Sequence, residues 1–514
     1  MSQENNKRIA KNTLLLYFRT IFIMFISLFT SRVVLNALGV ENYGIYNVVG
    51  GVVAMFSLIS GSLSSSISRF ITFELGKGNV EKLKIIFSTS INIQIVISLI
   101  VILLGETVGR WFLNTHMNIP ESRMTAANWV LHCSLIMFSI NLINTPYNAC
   151  IIAHERMTAF AYISILEASL KLLICYLIVV SPFDKLITYA VLLATVSLLI
   201  RIVYGSYCAR HFEECRYRMV YDRNQLKEMS GFAGWTFLTS CCYLFNTQGV
   251  NILINLFFGV TLNAARGVAT QVDAAIMQFV NNFTMAINPQ ITKQYAVGKT
   301  EEMFKLVCRG AKFSFFLLLI FSLPILFETK YILTLWLKIV PDHAVMFLRL
   351  TIIGSMINML GNTGYTACMA TGTVRRYVIW ISSVGCLVFP LTWICFKLGM
   401  APESTYVVFI LVYALVDTVR LYIMKGLLGF PPMMFVKEVI MKIILVTAVA
   451  AILPSLIVTV MNPGMGRFSV TLMVSVLGSM LSIFYLGLST HERATIVKNI
   501  KKTIHNKLHV SIIK

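Results

Sequence analysis

Three arginines, Arg32, Arg69 and Arg266, lie within long apolar segments of a 514-residue chain. A charged side chain at membrane depth is unfavourable, so it usually faces a water-filled cavity or a partner group. The guanidinium group stays charged and can donate two parallel hydrogen bonds to the oxygens of one phosphate. These three side chains are therefore the first candidates for binding an anionic ligand.

The segments that carry these arginines are also rich in hydroxyl and amide groups. Serines recur through residues 61–69, where they could line a cavity or let helices pack closely. The amides that could hydrogen-bond sugar hydroxyls are Asn246, Gln248, Asn251 and Asn282. Structural roles are open as well, since Arg69 could cap a helix or reach the membrane surface and Arg266 could pair with Asp273.

Two carboxylates, Asp273 and Asp417, also fall within apolar segments, where a carboxylate could bind a coupling proton or sodium ion. Asp417 precedes Arg420 by three residues, a spacing that also favours an ion pair on one helix face. Glu167 and Lys171 are spaced i, i+4 and are predicted to neutralise each other.

The elements that must position these residues are membrane helices. Hydrophobic residues make up 57% of the chain and charged residues 13%, against about a quarter charged in soluble proteins. The apolar runs lack the alternation of a barrel strand, so we predict an all-α polytopic membrane protein. The fourteen predicted spans are 10–36, 44–72, 85–108, 126–150, 158–180, 186–208, 230–258, 263–289, 309–327, 343–370, 377–398, 404–426, 438–461 and 467–488.

The net charge of +21 is dispersed over alternate loops, which argues against nucleic acid as a partner. Basic residues concentrate on one side of the predicted membrane, for example at Lys82, Arg156, Arg216 and Arg375. The positive-inside rule then places both termini in the cytoplasm. The eleven cysteines include no CxxC pair, so we expect no disulfide, no zinc site and no cofactor.

A seven-residue motif occurs twice in the chain. Asn144-Thr145-Pro146-Tyr147-Asn148-Ala149-Cys150 returns as Asn362-Thr363-Gly364-Tyr365-Thr366-Ala367-Cys368, an offset of 362 − 144 = 218. Gly76-Lys77 and Gly298-Lys299 repeat at a similar offset, as do Arg201 and Arg420. This pattern predicts two like-oriented six-helix bundles related by an axis along the membrane normal.

The repeat also predicts the domain organisation. The predicted parts are an N-terminal half (1–208), a cytoplasmic linker (209–229), a C-terminal half (230–426), two additional membrane helices (438–488) and a basic amphipathic tail (489–514). The tail places apolar residues at every fourth position among lysines and arginines, which suits a helix lying on an anionic leaflet. Pro146 is expected to bend the fourth span, because proline removes a backbone hydrogen bond.

Three stretches carry a resemblance to a known family: Leu38-Gly39-Val40-Glu41-Asn42-Tyr43-Gly44, the Ser-rich segment that ends at Gly76-Lys77, and Asn263-Ala264-Ala265-Arg266-Gly267 through Asn288-Pro289-Gln290-Ile291-Thr292-Lys293. In order and spacing they resemble Wzx-type flippases of O-antigen, capsule or exopolysaccharide repeat units in the MOP superfamily, which includes MurJ and MATE exporters. The resemblance implies a transporter of the bacterial inner membrane that moves an undecaprenyl-diphosphate-linked oligosaccharide to the periplasmic leaflet.

That substrate suits the polar residues of the chain. Arg32, Arg69 and Arg266 would hold the diphosphate, the four amides would contact the sugar, and the two halves would rock in alternating access. Other expected partners are a coupling proton or sodium ion, membrane lipids and polysaccharide assembly proteins.

Three alternatives remain open from the residues alone. A MATE-like exporter of drugs or metabolites would use the same fold, although cationic drugs would favour cavity carboxylates over arginines. A membrane glycosyltransferase or polysaccharide polymerase would be expected to carry a soluble domain, a large outer loop or an Asp-x-Asp for a metal-bound nucleotide sugar. The sequence has none of these features, so no enzymatic activity is predicted. A scaffold within an assembly complex is the third alternative.

Overall fold

The protein is built from α-helices, as the hydropathy pattern predicts. The computed structural model describes residues 3–54, 56–116, 119–218, 220, 222–258, 260–337, 340–490 and 492–494. The first helices are α1 (Gln3–Ala54), α2 (Ser57–Lys77), α3 (Val80–Leu104), α4 (Arg110–His116), α5 (Glu121–Ala153), α6 (Met157–Val180), α7 (Lys185–His211) and α8 (Arg223–Phe258). They are followed by α9 (Val260–Ala296), α10 (Thr300–Leu337), α11 (Ala344–Met359), α12 (Asn362–Ala370), α13 (Arg375–Gly385), α14 (Val388–Lys397), α15 (Ser404–Leu428), α16 (Pro432–Phe435), α17 (Met441–Val460) and α18 (Met465–Ser482). Shorter turns are the π-helical Gly105–Gly109, Val436–Ile440 and Ile483–Gly487 and the 3-10 turn Glu213–Cys215.

Eleven described helical segments are long and apolar enough to cross a membrane. Three predicted spans, 10–36, 44–72 and 263–289, do not meet this criterion. The first and third lie within helices, and the second is helical at its described residues except Phe56. They are the spans that carry Arg32, Arg69 and Arg266. The all-α membrane class is therefore confirmed, and the count of fourteen spans stays a prediction.

Glycines and a proline set where several predicted spans break. The turn expected between the first two spans is a kink within α1 at Gly39, whose φ of 77° disfavours side chains with a Cβ. The tenth span breaks between α11 and α12 at Gly361, where a Cβ would lie 1.0 Å from Nη1 of Arg420. The eleventh breaks after Gly385 because Pro390 cannot donate to the carbonyl of residue 386.

By internal contacts the chain divides into two compact units. Unit 1 comprises Met1–Leu244, Asn282–Met303 and Thr366–Ser382. Unit 2 comprises Phe245–Asn281, Phe304–Tyr365 and Ser383–Lys514. Unit 1 therefore includes the end of α9 and the loop after α12, both of which belong to the second copy of the sequence repeat. The domain limits derived from the repeat itself stay a prediction.

Each copy of the seven-residue motif packs against an equivalent arginine. In unit 1, the guanidinium carbon of Arg201 on α7 lies 4.0 Å from the ring centroid of Tyr147 on α5. In unit 2, Arg420 on α15 lies against Gly364 of the second copy. A Cβ built on Gly364 would lie 3.3 Å from Cδ of Arg420. The repeat in sequence is thus matched by a repeated arginine contact in the structure.

In unit 2, two charge pairs join α10 to α18 and to the segment that follows it. Glu328 marks a kink in α10, and its carboxylate accepts hydrogen bonds from Nε and Nη2 of Arg467 at 2.7 and 2.9 Å. Beyond α18, Glu492 accepts from Nζ of Lys312 on α10 at 3.0 Å. Between these pairs, α18 buries its small polar residues Thr471, Ser475, Ser479 and Ser482, which allow close helix packing.

Glu328→Gln should destabilise the protein by about 3 to 5 kcal/mol, because Arg467 would remain buried without its carboxylate. The carboxylate side chain is only 1% exposed. The free energy of unfolding in mixed micelles measures the loss. Glu438→Gln is the matched control: its pair with Lys442 is 51% exposed on the glutamate side, so a change below about 1 kcal/mol is expected. Equal stability of Glu328→Gln and wild type would contradict the role of the buried pair.

Candidate functional site

Arg69 lies near the end of α2, where its guanidinium group is enclosed within unit 1. Its Nη2 donates to the carbonyl of Ala370, the last residue of α12, at 3.2 Å. Its guanidinium carbon lies 4.4 Å from the ring centroid of Phe70 and 4.9 Å from that of Phe73. Arg69 therefore caps the carboxyl end of α12, where a cation is favourable. Its Nε is buried and has no hydrogen-bond partner among the described residues.

Arg69 can lie this close to the loop after α12 because the loop has a glycine, Gly372, at the point of contact. Gly372 adopts a φ of 79°, and a Cβ at this position would lie 2.5 Å from Nη2 of Arg69. A side chain here would therefore both strain the backbone and displace the guanidinium group.

A second polar cluster in unit 1 surrounds Glu155, in the loop between α5 and α6. The side chain is only 1% exposed, and its carboxylate accepts hydrogen bonds from Nε2 of Gln290 at 2.6 Å and from Nζ of Lys293 at 2.8 Å. The backbone carbonyl of Glu155 accepts from Nδ2 of Asn12 at 3.3 Å. We call these four residues the Glu155 clamp.

The two clusters are reciprocal with respect to the sequence repeat. Arg69 on α2, in the first copy, contacts the loop after the second seven-residue motif. Gln290 and Lys293 on α9, in the second copy, contact the loop after the first motif. The ends of α2 and α9 also pack together at Gly76, where a Cβ would lie 2.9 Å from Cβ of Ala296. Both sets of contacts lie inside unit 1.

Sequence reasoning did not select the clamp residues as a site. The signals were nevertheless present, because Glu155 lies five residues after the end of the first motif, at Cys150, and Gln290 and Lys293 belong to a stretch that carries the family resemblance. The sequence could not show the pairing, because Gln290 and Lys293 lie 135 and 138 positions from Glu155.

Arg266 lies on α9 in unit 2. Its Nη2 donates to the backbone carbonyl of Thr247 on α8 at 3.2 Å, and its guanidinium carbon lies 5.9 Å from the ring centroid of Tyr406. Asp273, which the sequence offered as a partner for Arg266, accepts a hydrogen bond from Oγ of Ser355 on α11 at 2.9 Å. The side chain of Arg32 lies outside the described residues.

The four candidate amides lie in different surroundings. Asn246 is buried and donates to the carbonyl of Gly385 at 2.8 Å, which satisfies an acceptor at the break before α14. Asn282 is also buried and donates to Oγ1 of Thr20 at 2.6 Å. Gln248 is exposed and accepts a hydrogen bond from the partly exposed Asn251 at 3.1 Å. In this conformation Asn246 and Asn282 therefore serve helix contacts, while Gln248 is accessible.

The predicted ion pairs within helices are confirmed. Lys171 donates to Glu167 at 2.6 Å, and Arg420 donates to Asp417. The second oxygen of Asp417 is buried and has no hydrogen-bond partner in the part of the chain that the structure describes. In the described ranges, no group of three or more His, Cys, Asp or Glu side chains is arranged to hold a metal ion.

A family model described as polysaccharide biosynthesis protein matches residues 9–294, more than half of the 514 residues. The chain belongs to this polysaccharide biosynthesis protein family. The uncharacterized membrane protein EpsK of Bacillus subtilis (strain 168) is 20% identical to the chain over 298 residues. That match covers 57% of this chain and 58% of EpsK, so the chain spans less than two thirds of the relative.

Solved structures with the same fold are transporters. An outward-facing MATE transporter of the MOP superfamily superposes with a TM-score of 0.72 and 11% identity, covering 83% of this chain and 96% of that one. The MATE transporter ClbM, in complex with Rb+, superposes with a TM-score of 0.68 and 13% identity, covering 83% of this chain and 96% of that one. For a MOP superfamily transporter from Pyrococcus furiosus Vc1 (DSM3638), the TM-score is 0.63 and the identity 12%, with coverage of 82% of this chain and 96% of that one. At these identities the similarity shows the fold. This fold is the one that the resemblance to the MOP superfamily implies, and the chain is a multi-pass membrane protein of the polysaccharide biosynthesis protein family.

A hydrogen-bonded pair outside the membrane-spanning segments, Glu214 and His154, lowers the pKa of the glutamate. Glu214 lies in the turn after α7, and its carboxylate is hydrogen-bonded to Nε2 of His154. The ring of His154 stacks on that of Phe212, with 4.2 Å between the ring centroids. Burial opposes ionisation of Glu214, but the hydrogen bond with His154, a backbone amide and nearby positive charge outweigh it. The pKa of Glu214 is therefore below its ordinary value.

Because the pKa is lowered in the folded state, the ionised Glu214 carboxyl stabilises the fold above the unfolded pKa of about 4.3, and this contribution is lost as the pH falls through the folded pKa. Glu214→Gln should therefore lower the melting temperature near neutral pH, and the difference from wild type should shrink below about pH 4. Thermal unfolding in detergent measures both. Glu213→Gln, at the exposed neighbouring position, should behave as wild type. A constant difference down to the acid limit would show that Glu214 acts through packing instead of charge.

Proposed function

We propose that the protein is a flippase that moves an undecaprenyl-diphosphate-linked oligosaccharide from the cytoplasmic to the periplasmic leaflet for surface polysaccharide biosynthesis. The observation that carries this proposal is the combination of a polysaccharide biosynthesis family match with the fold of MATE transporters. Biosynthesis of a surface polysaccharide from precursors made in the cytoplasm needs a step that carries a polar glycan across lipid. A helical transporter of this fold is suited to that step.

The substrate class is also supported by cations within the helical bundle. A lipid-linked diphosphate is anionic, and the guanidinium groups of Arg69 and Arg266 are held among carbonyl and aromatic groups. Such a guanidinium group can exchange a carbonyl acceptor for a phosphate oxygen, which is the stronger, charge-assisted partner. We assign the diphosphate to Arg32, Arg69 and Arg266, and the sugar to Gln248, Asn251, Asn246 and Asn282.

Alternating access gives the Glu155 clamp and the Arg69 cap a role in this mechanism. Both join one copy of the sequence repeat to the other, at the ends of α2 and α9. The charge pattern of the loops supports a cytoplasmic position for these ends, in an inner-membrane protein whose termini we propose to be cytoplasmic. Opening toward the cytoplasm then requires Glu155 to release Gln290 and Lys293. Pro146 remains the proposed bend of α5.

A MATE-like exporter of drugs or metabolites is the second candidate, because the chain shares the fold of MATE transporters. Asp273 and Asp417 lie on membrane helices, and either could take up a proton or sodium ion as the coupling ion of either transporter. Asp273→Asn should abolish the dependence of transport on a proton or sodium gradient if it is that site. Export of a cationic dye by the purified protein in vesicles, without transfer of the lipid-linked glycan, would favour the exporter.

Arg69→Ala and Arg266→Ala are expected to reduce the periplasmic appearance of the lipid-linked oligosaccharide by about 10-fold or more, because each removes a charge-assisted hydrogen bond of about 1.5 to 3 kcal/mol. Arg32→Ala tests the third assigned residue. Lysine at the same positions retains the charge but not the two-pronged donor, so partial rescue separates the two contributions. Arg210→Ala, at an exposed position, is the control. Unchanged delivery in all three alanine variants would refute the assignment.

Glu155→Gln should loosen the clamp, because Lys293 loses the carboxylate that neutralises it. Hydrogen–deuterium exchange of the segments around residues 150–157 and 286–296 should become faster, with lower transport. Glu167→Gln removes an exposed ion pair on α6 and should change neither segment. Unchanged exchange in Glu155→Gln would show that the clamp does not hold these segments together.

A further inference from the structure

A basic cavity lies on unit 1, and its lining residues are not among the arginines assigned to transport. Its volume is about 270 Å³, and it is lined by Lys84, Glu213, Arg216 and Arg218. Lys84 lies in the second turn of α3, and the other three residues belong to the linker that follows α7. The loop charges place this linker on the side of the membrane predicted to be cytoplasmic.

The linker is fixed to α3 by hydrogen bonds, so the cavity is built before any ligand binds. The backbone N–H of Arg218 donates to Oγ of Ser88 at 3.2 Å, and the hydroxyl of Tyr217 donates to Oδ1 of Asn92 at 2.8 Å. Nδ2 of Asn92 donates in return to the carbonyl of Val220 at 3.1 Å. These contacts hold the backbone that carries both arginines.

The charges of the cavity favour an anion. Three cations face one carboxylate, that of Glu213. Glu81 also binds Lys84 at 2.9 Å, but its side chain is 77% exposed, so water screens this pair and an entering anion can compete for the lysine. Two arginines and a lysine around one cavity suit the oxygens of a phosphate group.

The face of α3 that lines the cavity continues as an apolar, exposed stripe. Lys84, Ser88 and Asn92 recur every fourth residue, and the same face then presents Ile95, Leu99 and Leu103. The last two side chains are 61% and 64% exposed. From Asn92 to Leu103 the helix rises about 16 Å, which is close to half of the 30 Å hydrocarbon thickness of a bilayer.

We propose that this cavity binds the phosphate headgroup of an anionic membrane phospholipid, whose acyl chains lie along the exposed stripe of α3. A soluble phosphate could use the same cations, but it would gain nothing from the apolar stripe, which begins at Ile95, about 16 Å along α3 from Lys84. The site is distinct from the transported substrate and does not depend on the proposed flippase activity. It would anchor the linker between α7 and α8 at the leaflet surface.

The test compares lipid binding to the full-length protein and to the double variant Arg216→Gln/Arg218→Gln. The proteins are placed in mixed micelles of phosphatidylcholine and phosphatidylglycerol, and bound lipids are counted by native mass spectrometry. Retention of phosphatidylglycerol should fall about 10-fold in the variant, and phosphatidylcholine should be unaffected. Lys84→Gln should give a smaller loss of the same kind, and circular dichroism shows that each variant is folded.

The matched control is Arg210→Gln/Lys227→Gln, which removes the same charge at exposed positions outside the cavity. Equal loss in this control would overturn the proposal, because general surface charge would then explain the binding. Inorganic phosphate should not displace phosphatidylglycerol from the wild-type protein. Displacement by inorganic phosphate at low concentration would assign the cavity to a soluble anion and would also overturn the proposal.

Discussion

The buried carboxylate of Glu155 is the interaction on which the organisation of unit 1 depends. A charge that is 1% exposed is tolerated only if it is neutralised and hydrogen-bonded. Its partners, Lys293 and Gln290, come from α9. The end of α9 must therefore remain beside the α5–α6 loop for as long as Glu155 stays buried, which is why residues 282–303 belong to unit 1.

The same constraint shapes unit 2, where polar groups mark each departure from regular helix. Glu328 lies at the kink of α10 and binds Arg467 of α18. Arg420 occupies the space beside Gly361, at the break between α11 and α12. Asn246 satisfies the carbonyl of Gly385 before α14. A broken membrane helix frees backbone groups that lipid cannot satisfy, and a polar side chain lies beside each of these sites.

These structural duties need not conflict with transport. A hydrogen bond between Arg69 and the carbonyl of Ala370 can be exchanged for a stronger one with a phosphate oxygen. A buried ion pair, in contrast, cannot separate without a large penalty unless water or another ion replaces the partner. In the proposed mechanism, Arg69 therefore responds to the substrate, and the Glu155 clamp must be hydrated as the cytoplasmic side opens.

The sequence by itself determined the membrane class, most helix positions, the duplication and the i, i+3 and i, i+4 ion pairs of Asp417 and Glu167, because hydropathy and helical spacing are local properties of the chain. It also predicted the polar spans that carry Arg69 and Arg266. Only the tertiary structure decided that Glu155 pairs with Lys293, that Glu328 pairs with Arg467, and that Asn246 and Asn282 are buried. The partner of a buried charge is chosen by packing between residues more than a hundred positions apart, and no local pattern in the chain records that choice.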